Sequence, residues 1–395
     1  MITERLYYSD PTLLEFDGTV VSCVREGERV LTVLDRSAFY PTSGGQLRDT
    51  GTLNGVPVLE VTEGEDGEVI HISGEEIAGA GGSVHGVVDQ SRRWKNRQMH
   101  TAQHILSQCF IALFQLETVS VHLGEEYGAV ELGSSEVVTD QLEQAEQFAN
   151  DIVARNLSVE ILFVSPAEAA QLPLRKMPER DGVVRVIRIG DFDWSACGGT
   201  HCTSTAEVGL IKIIGMERVR SRALVKFLSG VQAIAEYHAR FRATDALTRT
   251  LSCGVSDLAT NIGKLQAEHK EMRRQIVDLQ KELIPIRAAR LALLAGRSGK
   301  FPLLVVEADG PDTAGLLAAE VANQIQGLAA FVVEGKLLIA VSDQSGLHAG
   351  NIAREITGRT GLRGGGGPKA AQIGGADPGH LEQYRTIFAE IIARA

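Results

Sequence analysis

Two short motifs of metal-ligand residues, far apart in the chain, limit its fold more than any other feature. The first, His100-x3-His104, places two imidazoles one turn apart on the same face of a helix. The second, Cys197-x3-His201, places a thiol and a third imidazole around a Gly-Gly turn. Three imidazoles and one thiolate form a tetrahedral set that zinc favours over calcium or magnesium. We therefore predict a fold that joins both motifs around one Zn²⁺ ion, with these four side chains as its ligands.

Each motif alone has an ordinary explanation. Histidines at this spacing occur on helix surfaces and in cores, and a single cysteine is more often a small buried hydrophobe than a ligand. The Gly-Gly pair favours the metal interpretation, because glycine lets the backbone fold closely around an ion. Cys202 follows His201 directly, and it is either a fifth candidate ligand or a neighbouring thiol.

The totals for the whole chain are those of a soluble protein with several domains. The chain has 395 residues, of which 44% are hydrophobic and 23% charged. It contains no apolar run of about 18 residues, and its first residues lack the pattern of a signal peptide. Five scattered cysteines do not suggest a disulfide framework and favour a reducing compartment. We therefore expect a cytoplasmic protein with no membrane partner.

The charge balance limits how the chain can contact nucleic acid. A net charge of −11 argues against a protein that coats nucleic acid indiscriminately. A local basic face is compatible with this total, because salt screens interactions beyond about 10 Å. Arg92, Arg93 and Lys95 form one candidate face just before the first metal motif. The ordinary alternative for this cluster is a solvated surface.

The hydrophobic patterns predict an α+β multidomain protein with four parts. Residues 1–90 indicate a small all-β barrel or sandwich with a glycine-rich loop, because turn signals interrupt β-rich runs about every ten residues. Residues 91–230 indicate an α+β domain that presents the zinc ligands from one helix and one loop between strands. Residues 231–297 predict a helical, coiled-coil linker, and residues 298–395 predict a separate α/β domain.

Two glycine-rich segments are candidates for ligand contact. Residues 39–46 read Phe-Tyr-Pro-Thr-Ser-Gly-Gly-Gln, which favours a tight, exposed loop that a ligand can approach, with a plain hairpin turn as the alternative. The second segment lies between the last two predicted helices, and we expect a loop that admits a phosphate or sugar backbone, with a flexible linker as the alternative. Its candidate contact residues are Gly364, Gly365, Gly366, Gly367, Lys369 and Gln372.

A heptad pattern dominates the linker. Apolar residues recur in steps of four and three from Leu251 to Ile286, as at the a and d positions of a coiled coil. We expect Gly254 and Ser256 to divide this segment into two helices, with Ser256 as an N-cap. Pro285 is expected to kink or end the second helix. The apolar seam must be covered, and the pattern fits a helical hairpin and a homodimer equally well.

These motifs, in this order, resemble the freestanding alanyl-tRNA editing proteins, the AlaX group, and the editing part of alanyl-tRNA synthetase. The resemblance is carried by residues 39–46, His100-x3-His104, and Cys197-Gly-Gly-Thr-His201 with residues 208–212. Residues 191–196 are similar to the freestanding group in particular. The heptad segment and the second glycine-rich segment resemble the linker and tRNA-binding domain of long members. Only about 40 residues precede the first motif, too few for an aminoacylation core, so we expect a trans-editing hydrolase.

The resemblance implies hydrolysis of the ester between a wrong amino acid and the 3′ adenosine of tRNA(Ala). Serine is the chief amino acid expected, with glycine as a second candidate. We expect catalytic roles for His100, His104, Thr42 and Gln46. Whether the zinc is structural or catalytic stays open, because four protein ligands make a closed site. ATP binding is implied by the family resemblance alone.

Recognition of the mischarged tRNA(Ala) is expected at three places. The loop should form the specificity pocket, where the Thr42 hydroxyl bonds the serine side chain and alanine leaves it unpaired. Its residues are Thr42, Ser43, Gly44 and Gly45, and Ser43 stands where many freestanding relatives have a further glycine. Arg92, Arg93 and Lys95 are expected to contact the phosphates of the acceptor stem. The C-terminal domain is expected to hold the tRNA elsewhere and raise its effective concentration.

Two other functions are compatible with the sequence. Editing of threonyl-tRNA uses similar histidine and cysteine motifs, although the two glycine-rich segments disfavour it. A zinc-stabilised scaffold that binds tRNA without catalysis is the second alternative, with the heptads as a dimerisation device.

Overall fold

A computed structural model describes residues 2–177 and 182–394, and the chain forms two units, Met1–Ala246 and Leu247–Ala395. Each unit combines helices with β-sheet, so the chain is a mixed α/β protein with more than one domain. The two predicted parts before residue 230 lie together in the first unit.

The strands of the first unit are β1 (Glu4–Arg5), β2 (Glu15–Glu26), β3 (Arg29–Leu34), β4 (Arg36–Ser37), β5 (Gly51–Leu53), β6 (Val56–Val58), β7 (Glu60–Glu63), β8 (Val69–Ser73), β9 (Ser83–Val88), β10 (Thr118–Leu123), β11 (Gly128–Leu132), β12 (Val159–Val164), β13 (Val184–Ile189), β14 (Asp193–Ala196), β15 (Ile211–Val219) and β16 (Arg222–Ser229). Its helices are α1 (Gln90–Phe114), α2 (Thr139–Ala154) and α3 (Pro166–Ala169), with 3-10 turns at Leu6–Tyr8 and Thr205–Val208.

Helix α4 (Gly230–Leu251) runs across the division between the units. The second unit contains helices α5 (Leu258–Ala292), α6 (Pro311–Ile325), α7 (Ala349–Thr360) and α8 (Leu381–Ala393) and strands β17 (Gly296–Ser298), β18 (Phe301–Glu307), β19 (Leu328–Val333), β20 (Lys336–Val341), β21 (Arg363–Gly366) and β22 (Ala370–Gly374). Two 3-10 turns, Val255–Asp257 and Pro378–His380, complete it. Among the described helices, none has both the length and the apolar character needed to cross a membrane.

Seven strands of the first unit form an antiparallel sheet in the order β6-β5-β9-β2-β3-β8-β7. In the first half of β2 and along β9 every second side chain is buried, as expected for a sheet with one face on a core. That core includes Phe16, Val20, Leu34 and Val84. Because edge strand β6 lies next to β8, the sheet curls into a nearly closed barrel. The small β-barrel expected from the sequence is therefore present.

Helix α1 is the centre of the remainder of the first unit. Its N-terminus is capped by Asp89, whose carboxylate accepts the backbone N–H of Arg92 at 2.8 Å. Its apolar face, with Ile105, Leu106 and Phe110, shares one core with α2 and with two antiparallel sheets. These sheets have the orders β10-β11-β16-β15 and β12-β13-β14. This core fixes the helix that carries the first metal motif.

Arg93 does not have the phosphate-binding role predicted for it. Its side chain is 1% exposed and forms a buried ion pair with Asp49, with 2.6 Å between Nη2 and Oδ2. It also donates hydrogen bonds to the backbone carbonyls of Pro11, Leu13 and Ala38. A guanidinium enclosed in this way cannot reach a phosphate in solvent. Arg93 instead ties helix α1 to the barrel.

His71 in strand β8 is a buried titratable group of the barrel. Its Nε2 lies 2.8 Å from the Ser37 hydroxyl and its Nδ1 lies 3.2 Å from the Thr32 carbonyl oxygen. Burial lowers the pKa of His71 to about 4. An unfolded histidine has a pKa of about 6.5, so unfolding takes up a proton between these two pH values. We expect the fold to lose about 2 kcal/mol of stability through His71 between pH 7 and pH 5.

Urea unfolding followed by tryptophan fluorescence measures this effect, because both tryptophans, Trp94 and Trp194, lie in the first unit. The His71→Gln variant should lose about 2 kcal/mol less than the wild type between pH 7 and pH 5. The control is His85→Gln, a change at a largely exposed histidine of the same sheet. Equal pH dependence of His71→Gln and the wild type would rule out His71 as the source.

The linker forms the two expected helices, but two details differ. Helix α4 ends before Gly254 and α5 begins at Leu258, and the N-cap of α5 is Asp257 rather than Ser256. Pro285 does not end α5, which continues to Ala292, and the kink expected as the other possibility stays a prediction. The residues around the proline pack in a core with α6, and this packing offsets the backbone hydrogen bond that proline removes.

The apolar seam of α5 lies on its surface. Its residues are 40–59% exposed, namely Ile262, Leu265, Met272, Ile276, Leu279, Leu283 and Ile286. Packing of α5 in the second unit uses other positions, Ile284, Ala288 and Leu291. Burial of this seam against a second copy of the chain, in a homodimer, stays a prediction.

The second unit is built on a six-stranded sheet in the order β17-β18-β19-β20-β22-β21. Strands β18 and β19 are parallel and are joined through α6, while the other neighbours are antiparallel. The buried run of β19, with Ala330 and Phe331, lies between two apolar clusters. The second unit is therefore of mixed α/β structure, and a separate domain that begins at residue 298 stays a prediction.

The second glycine-rich segment is a strand, not the loop that we predicted. Residues Arg363–Gly366 form β21 and pair with β22 at the edge of the sheet. A Cβ on Gly364 would lie 2.2 Å from the Gln372 carbonyl oxygen, and one on Gly366 would lie 2.3 Å from that of Ala370. Glycine is needed here because the two backbones approach too closely for a side chain.

Candidate metal centre

Four side chains from the two motifs meet in the first unit. The candidate ligand atoms of His100, His104, Cys197 and His201 all lie within 4.8 Å of one another. Cys197 Sγ is 3.4 Å from His100 Nε2 and 3.3 Å from His201 Nε2. The three histidines are buried and the cysteine is partly buried. The predicted juxtaposition of the two motifs is confirmed.

Local structure explains how the motifs come together. His100 and His104 lie one turn apart on α1, with ring centroids 5.2 Å apart. The second motif follows strand β14 in an irregular segment that α1 also holds. Arg97 Nε donates to the His201 carbonyl oxygen at 2.8 Å, and the Thr101 hydroxyl accepts the backbone N–H of Cys202 at 3.0 Å. The same helix therefore supplies two ligands and positions the other two.

The cluster stabilises a thiolate. Burial by itself raises the pKa of the Cys197 thiol, but the adjacent His100 and His201 outweigh it and hold that pKa well below its usual range. The backbone N–H of Gly199 also donates to Cys197 Sγ at 3.4 Å. Burial and the neighbouring His100 hold the pKa of His201 well below its usual value. The thiolate of Cys197 and the neutral imidazole of His201 are the forms in which these two side chains bind a metal ion.

His100 is oriented from behind by Gln46. The Gln46 side-chain oxygen lies 2.8 Å from His100 Nδ1 and also accepts the backbone N–H of Thr200 at 3.1 Å. Because that oxygen is an acceptor, Nδ1 carries the proton and Nε2 is left free as a ligand. A Cβ on Gly199 would lie 2.2 Å from the His100 ring, so glycine is required at this position.

His104 is oriented by a carboxylate. Its Nδ1 lies 3.3 Å from Asp193 Oδ2, and Asp193 is fully buried and paired with Arg175. Burial by itself lowers the pKa of His104, but Asp193 and Cys197 outweigh it and raise that pKa. Burial by itself raises the pKa of Asp193, but His104 and Arg175 hold it below its usual value. Carboxylate support of a histidine is typical of zinc ligands.

This donor set passes the chemical test for zinc. It offers three imidazole nitrogens and one thiolate in a compact group, and carboxamide or carboxylate oxygens support two of the imidazoles. Hard cations such as calcium and magnesium prefer oxygen ligands, which this cluster lacks.

A cavity of about 310 Å³ opens beside the cluster. One side is formed by His100, Cys197 and the adjoining Gly198 and Gly199. The remaining wall comes from β1 and the turn after it, the barrel loop, β7 and β13, and includes Arg5, Tyr7, Tyr8, Tyr40, Pro41, Ser43, Gly44, Glu63 and Arg185. The metal cluster therefore lies at the surface of a pocket that a small polar group can enter.

Comparison with known proteins identifies the family. Residues 184–223, which contain the second metal motif, match the family described as the threonyl and alanyl tRNA synthetase second additional domain. The chain is 34% identical over 291 residues to the alanyl-tRNA editing protein AlaX-L of Pyrococcus horikoshii, across 70% of this chain and 72% of that protein. The chain belongs to the AlaX family of alanyl-tRNA editing proteins.

More distant relatives extend along the whole chain. The alanine–tRNA ligase of Methanosarcina barkeri is 29% identical over 419 aligned residues, which include 100% of this chain but only 44% of the ligase. Among solved structures, the C-Ala domain of Aquifex aeolicus alanyl-tRNA synthetase is 24% identical, with a TM-score of 0.22. That match covers 25% of this chain and 97% of the domain.

The loop predicted as the specificity pocket of this AlaX-family chain is only partly at the cavity. Ser43 and Gly44 line the cavity, and Gln46 is buried behind His100. Thr42 does not line it, because its side chain is exposed elsewhere and its hydroxyl accepts the backbone N–H of Arg48. Gly45 packs against the backbone of β10 instead, and its carbonyl oxygen accepts the backbone N–H of Leu123. The expectation that Thr42 contacts the substrate is therefore not supported by its position.

The remaining predicted residues lie outside this cavity. Arg92 and Lys95 both contact Glu125, which offsets part of the basic face. Cys202 is not part of the cluster, and burial raises the pKa of its thiol to about 12, so it is a poor ligand. In the second unit, Lys369 is exposed and pairs with Asp343.

Several residues of the site were not anticipated from the sequence. Asp193 and Thr200 lie within the motif region, four residues before Cys197 and one before His201, and that proximity was the available signal. Tyr7 is distant in sequence from both motifs, and Arg185 lies 12 residues before Cys197, but neither belongs to a motif. Only the fold brings them to the cavity.

Proposed function

We propose that this AlaX-family chain hydrolyses the ester that joins a wrong amino acid, chiefly serine, to the 3′ end of tRNA(Ala). The observation that carries the proposal is the buried histidine–cysteine cluster at the side of a cavity of about 310 Å³. The relationship to the alanyl-tRNA editing protein AlaX-L supports the choice of tRNA. The proposed partner is therefore mischarged tRNA(Ala), and the proposed location is the cytoplasm.

His100, His104, Cys197 and His201 would hold one zinc ion. When bound, the ion supplies a fixed positive charge beside the cavity, which can polarise an ester carbonyl. Gln46 and Asp193 keep His100 and His104 in the tautomer and orientation needed for this. The buried Cys197 thiolate balances part of the charge and holds the Gly-Gly turn through the Gly199 N–H.

In this proposal the cavity beside the cluster receives the ester. The acyl group and the terminal ribose enter between the Gly198–Gly199 turn and the Ser43–Gly44 part of the barrel loop. The glycines in both of these segments have no side chains, which leaves room for the atoms of the acyl group and the ribose. Selection of serine over alanine is then assigned to the polar wall of the cavity and not to Thr42.

We further propose that the second unit and the exposed part of the face at Arg92 and Lys95 contact the body of the tRNA. Contacts of this type position RNA without reading its sequence. Hydrolysis of the ester consumes only water, so the proposed reaction does not require the ATP binding that the resemblance implies.

The decisive experiment compares deacylation of Ser-tRNA(Ala) and Ala-tRNA(Ala) by purified protein with a measured zinc content. Rapid loss of serine with alanine retained is the expected result. Loss of both amino acids would support the hydrolase activity but contradict the proposed selection of serine over alanine. Retention of both, with zinc and tRNA bound, would favour the non-catalytic scaffold. In a parallel assay, faster deacylation of Ser-tRNA(Thr) than of Ser-tRNA(Ala) would favour threonyl-tRNA editing.

A further inference from the structure

The cavity wall contains two hydrogen-bond donors without a protein partner. Among the described residues, four buried side-chain polar atoms lack a hydrogen-bond partner, and two of them belong to residues of this wall. They are Arg185 Nη2 and the Tyr7 hydroxyl. Arg185 is 7% exposed and Tyr7 is fully buried. Unpaired buried donors are destabilising, so their occurrence in one cavity wall requires an explanation.

The rest of the Arg185 guanidinium is held in place. Nε donates to the Tyr8 carbonyl oxygen at 2.9 Å, and Nη1 donates to the carbonyl oxygens of Cys197 at 2.6 Å and Gly199 at 3.0 Å. The guanidinium carbon also lies 5.2 Å from the centre of the Tyr8 ring. The side chain cannot turn to satisfy Nη2 without losing these contacts. Its free N–H group is therefore fixed beside the second metal motif.

Two other donor side chains of the wall, Arg5 and Tyr40, are already engaged. Arg5 donates to the Tyr8 hydroxyl at 3.0 Å and forms an ion pair with Glu63. The Tyr40 hydroxyl donates to the Ser43 carbonyl oxygen at 2.9 Å. The unpaired groups are thus both donors, and they select a ligand that brings acceptor oxygens. Tyr7 packs edge-on against Tyr8 and Tyr40, with ring centroids 5.1 and 5.2 Å apart, which fixes its position as well.

We propose that Arg185 and Tyr7 bind the oxygens of the aminoacylated ribose, with Arg185 donating to the ester carbonyl oxygen and Tyr7 to a ribose oxygen. This inference rests on the proposed hydrolase function. Arg185 is given the carbonyl because it is anchored to the turn that carries Cys197, where the reacting ester must lie.

The assigned roles agree with the chemistry of ester hydrolysis. Water oxygen bonds to the carbonyl carbon, and the π electron pair moves to the carbonyl oxygen. That electron pair then re-forms the C=O double bond as the bond between the carbonyl carbon and the ribose oxygen breaks. That oxygen takes a proton that originates in the water, which leaves a free amino acid and a ribose hydroxyl. Arg185 is a charged donor at every relevant pH, so it stabilises the negative charge on the carbonyl oxygen.

Two substitutions test the proposal in single-turnover deacylation of Ser-tRNA(Ala). We expect Arg185→Lys to lower the rate constant about 100-fold. Lysine keeps the positive charge, but its ammonium group cannot bond the carbonyl oxygens of Cys197 and Gly199 and also present a free N–H to the ester. We expect Tyr7→Phe to lower it about 10-fold. Thermal unfolding provides the second readout, since removal of an unpaired buried hydroxyl should leave the melting temperature of Tyr7→Phe unchanged or raise it.

Matched controls separate binding from structure. Arg188→Lys changes an arginine of the same strand that lies over Trp194 and pairs with Asp191, and its rate constant should equal that of the wild type. Tyr384→Phe removes a buried hydroxyl that accepts a backbone N–H at 3.1 Å, so it should lower stability and leave the rate constant unchanged.

The outcomes distinguish this inference from the proposed function. Wild-type protein without deacylase activity would reject the function itself. Active wild type with rate constants within about twofold for both Arg185→Lys and Tyr7→Phe would overturn the inference alone. A lower melting temperature for Tyr7→Phe would also overturn it, because the hydroxyl would then serve the fold.

Discussion

Replacement of Cys197 with serine should remove the metal and abolish deacylation. A hydroxyl is not ionised at neutral pH and binds zinc much more weakly than a thiolate, so one of the four ligands is lost. Four-ligand zinc sites bind with about 10–16 kcal/mol, and we expect loss of one ligand to weaken binding at least about 100-fold. Zinc per chain after gel filtration, with the rate of Ser-tRNA(Ala) deacylation, measures the effect.

The neighbouring Cys202→Ser variant is the control, because it makes the same change at a buried thiol one residue from His201 and outside the cluster. Its zinc content should match the wild type. The zinc affinity of Gln46→Leu should lie between those of Cys202→Ser and Cys197→Ser, reduced about 10–100-fold from the wild type, because this change removes only the group that orients His100. Full zinc retention by Cys197→Ser would show that the cluster is not the metal site.

Arg93→Leu should cause the largest loss of stability. The substitution leaves the Asp49 carboxylate buried without its partner, and breaking a fully buried ion pair in this way costs about 3–5 kcal/mol. Urea unfolding followed by tryptophan fluorescence measures the change. Arg92→Leu is the matched control, because Arg92 pairs with the exposed Glu125 and such a pair contributes less than about 1 kcal/mol.

The double variant Asp49→Leu/Arg93→Leu tests the cause. Removal of both charges should restore part of the stability, because no buried carboxylate is left unpaired. Recovery should be incomplete, since Arg93 also satisfies three backbone carbonyls. A double variant less stable than Arg93→Leu would contradict the ion-pair explanation.

The sequence placed the four residues of the candidate metal cluster together correctly because the information for each motif is local. A pair of histidines four residues apart specifies one helix face, and a cysteine and histidine around two glycines specify one turn. Zinc chemistry then requires the two motifs to meet. The α/β character of both units was likewise predictable, because buried strands and amphipathic helices have distinct periods.

The remaining errors share a physical origin. Arg93 reads as a basic surface residue, and its burial depends on Asp49, which comes from the barrel 44 residues earlier. The run of glycines at residues 364–367 is typical of a loop, but most of it forms strand β21 because β22 lies close enough to pair with it. Thr42 lies in the correct loop, but hydrogen bonding within that loop directs its hydroxyl to Arg48. For Arg93 and the glycine-rich segment a tertiary contact overrides the local tendency, and for Thr42 the detailed geometry of the loop does so.

The contacts of the barrel with helix α1 have a consequence for how the first unit is divided. Asp49 forms an ion pair with Arg93, and Gln46 forms a hydrogen bond with His100. One short segment of the barrel therefore contacts the helix at two points that are about two turns apart. The helix cannot slide or rotate against the barrel without breaking both. Residues 1–89 and 90–246 should therefore unfold in one cooperative transition, and a split protein cut at residue 89 should recover its metal centre only when both fragments are present.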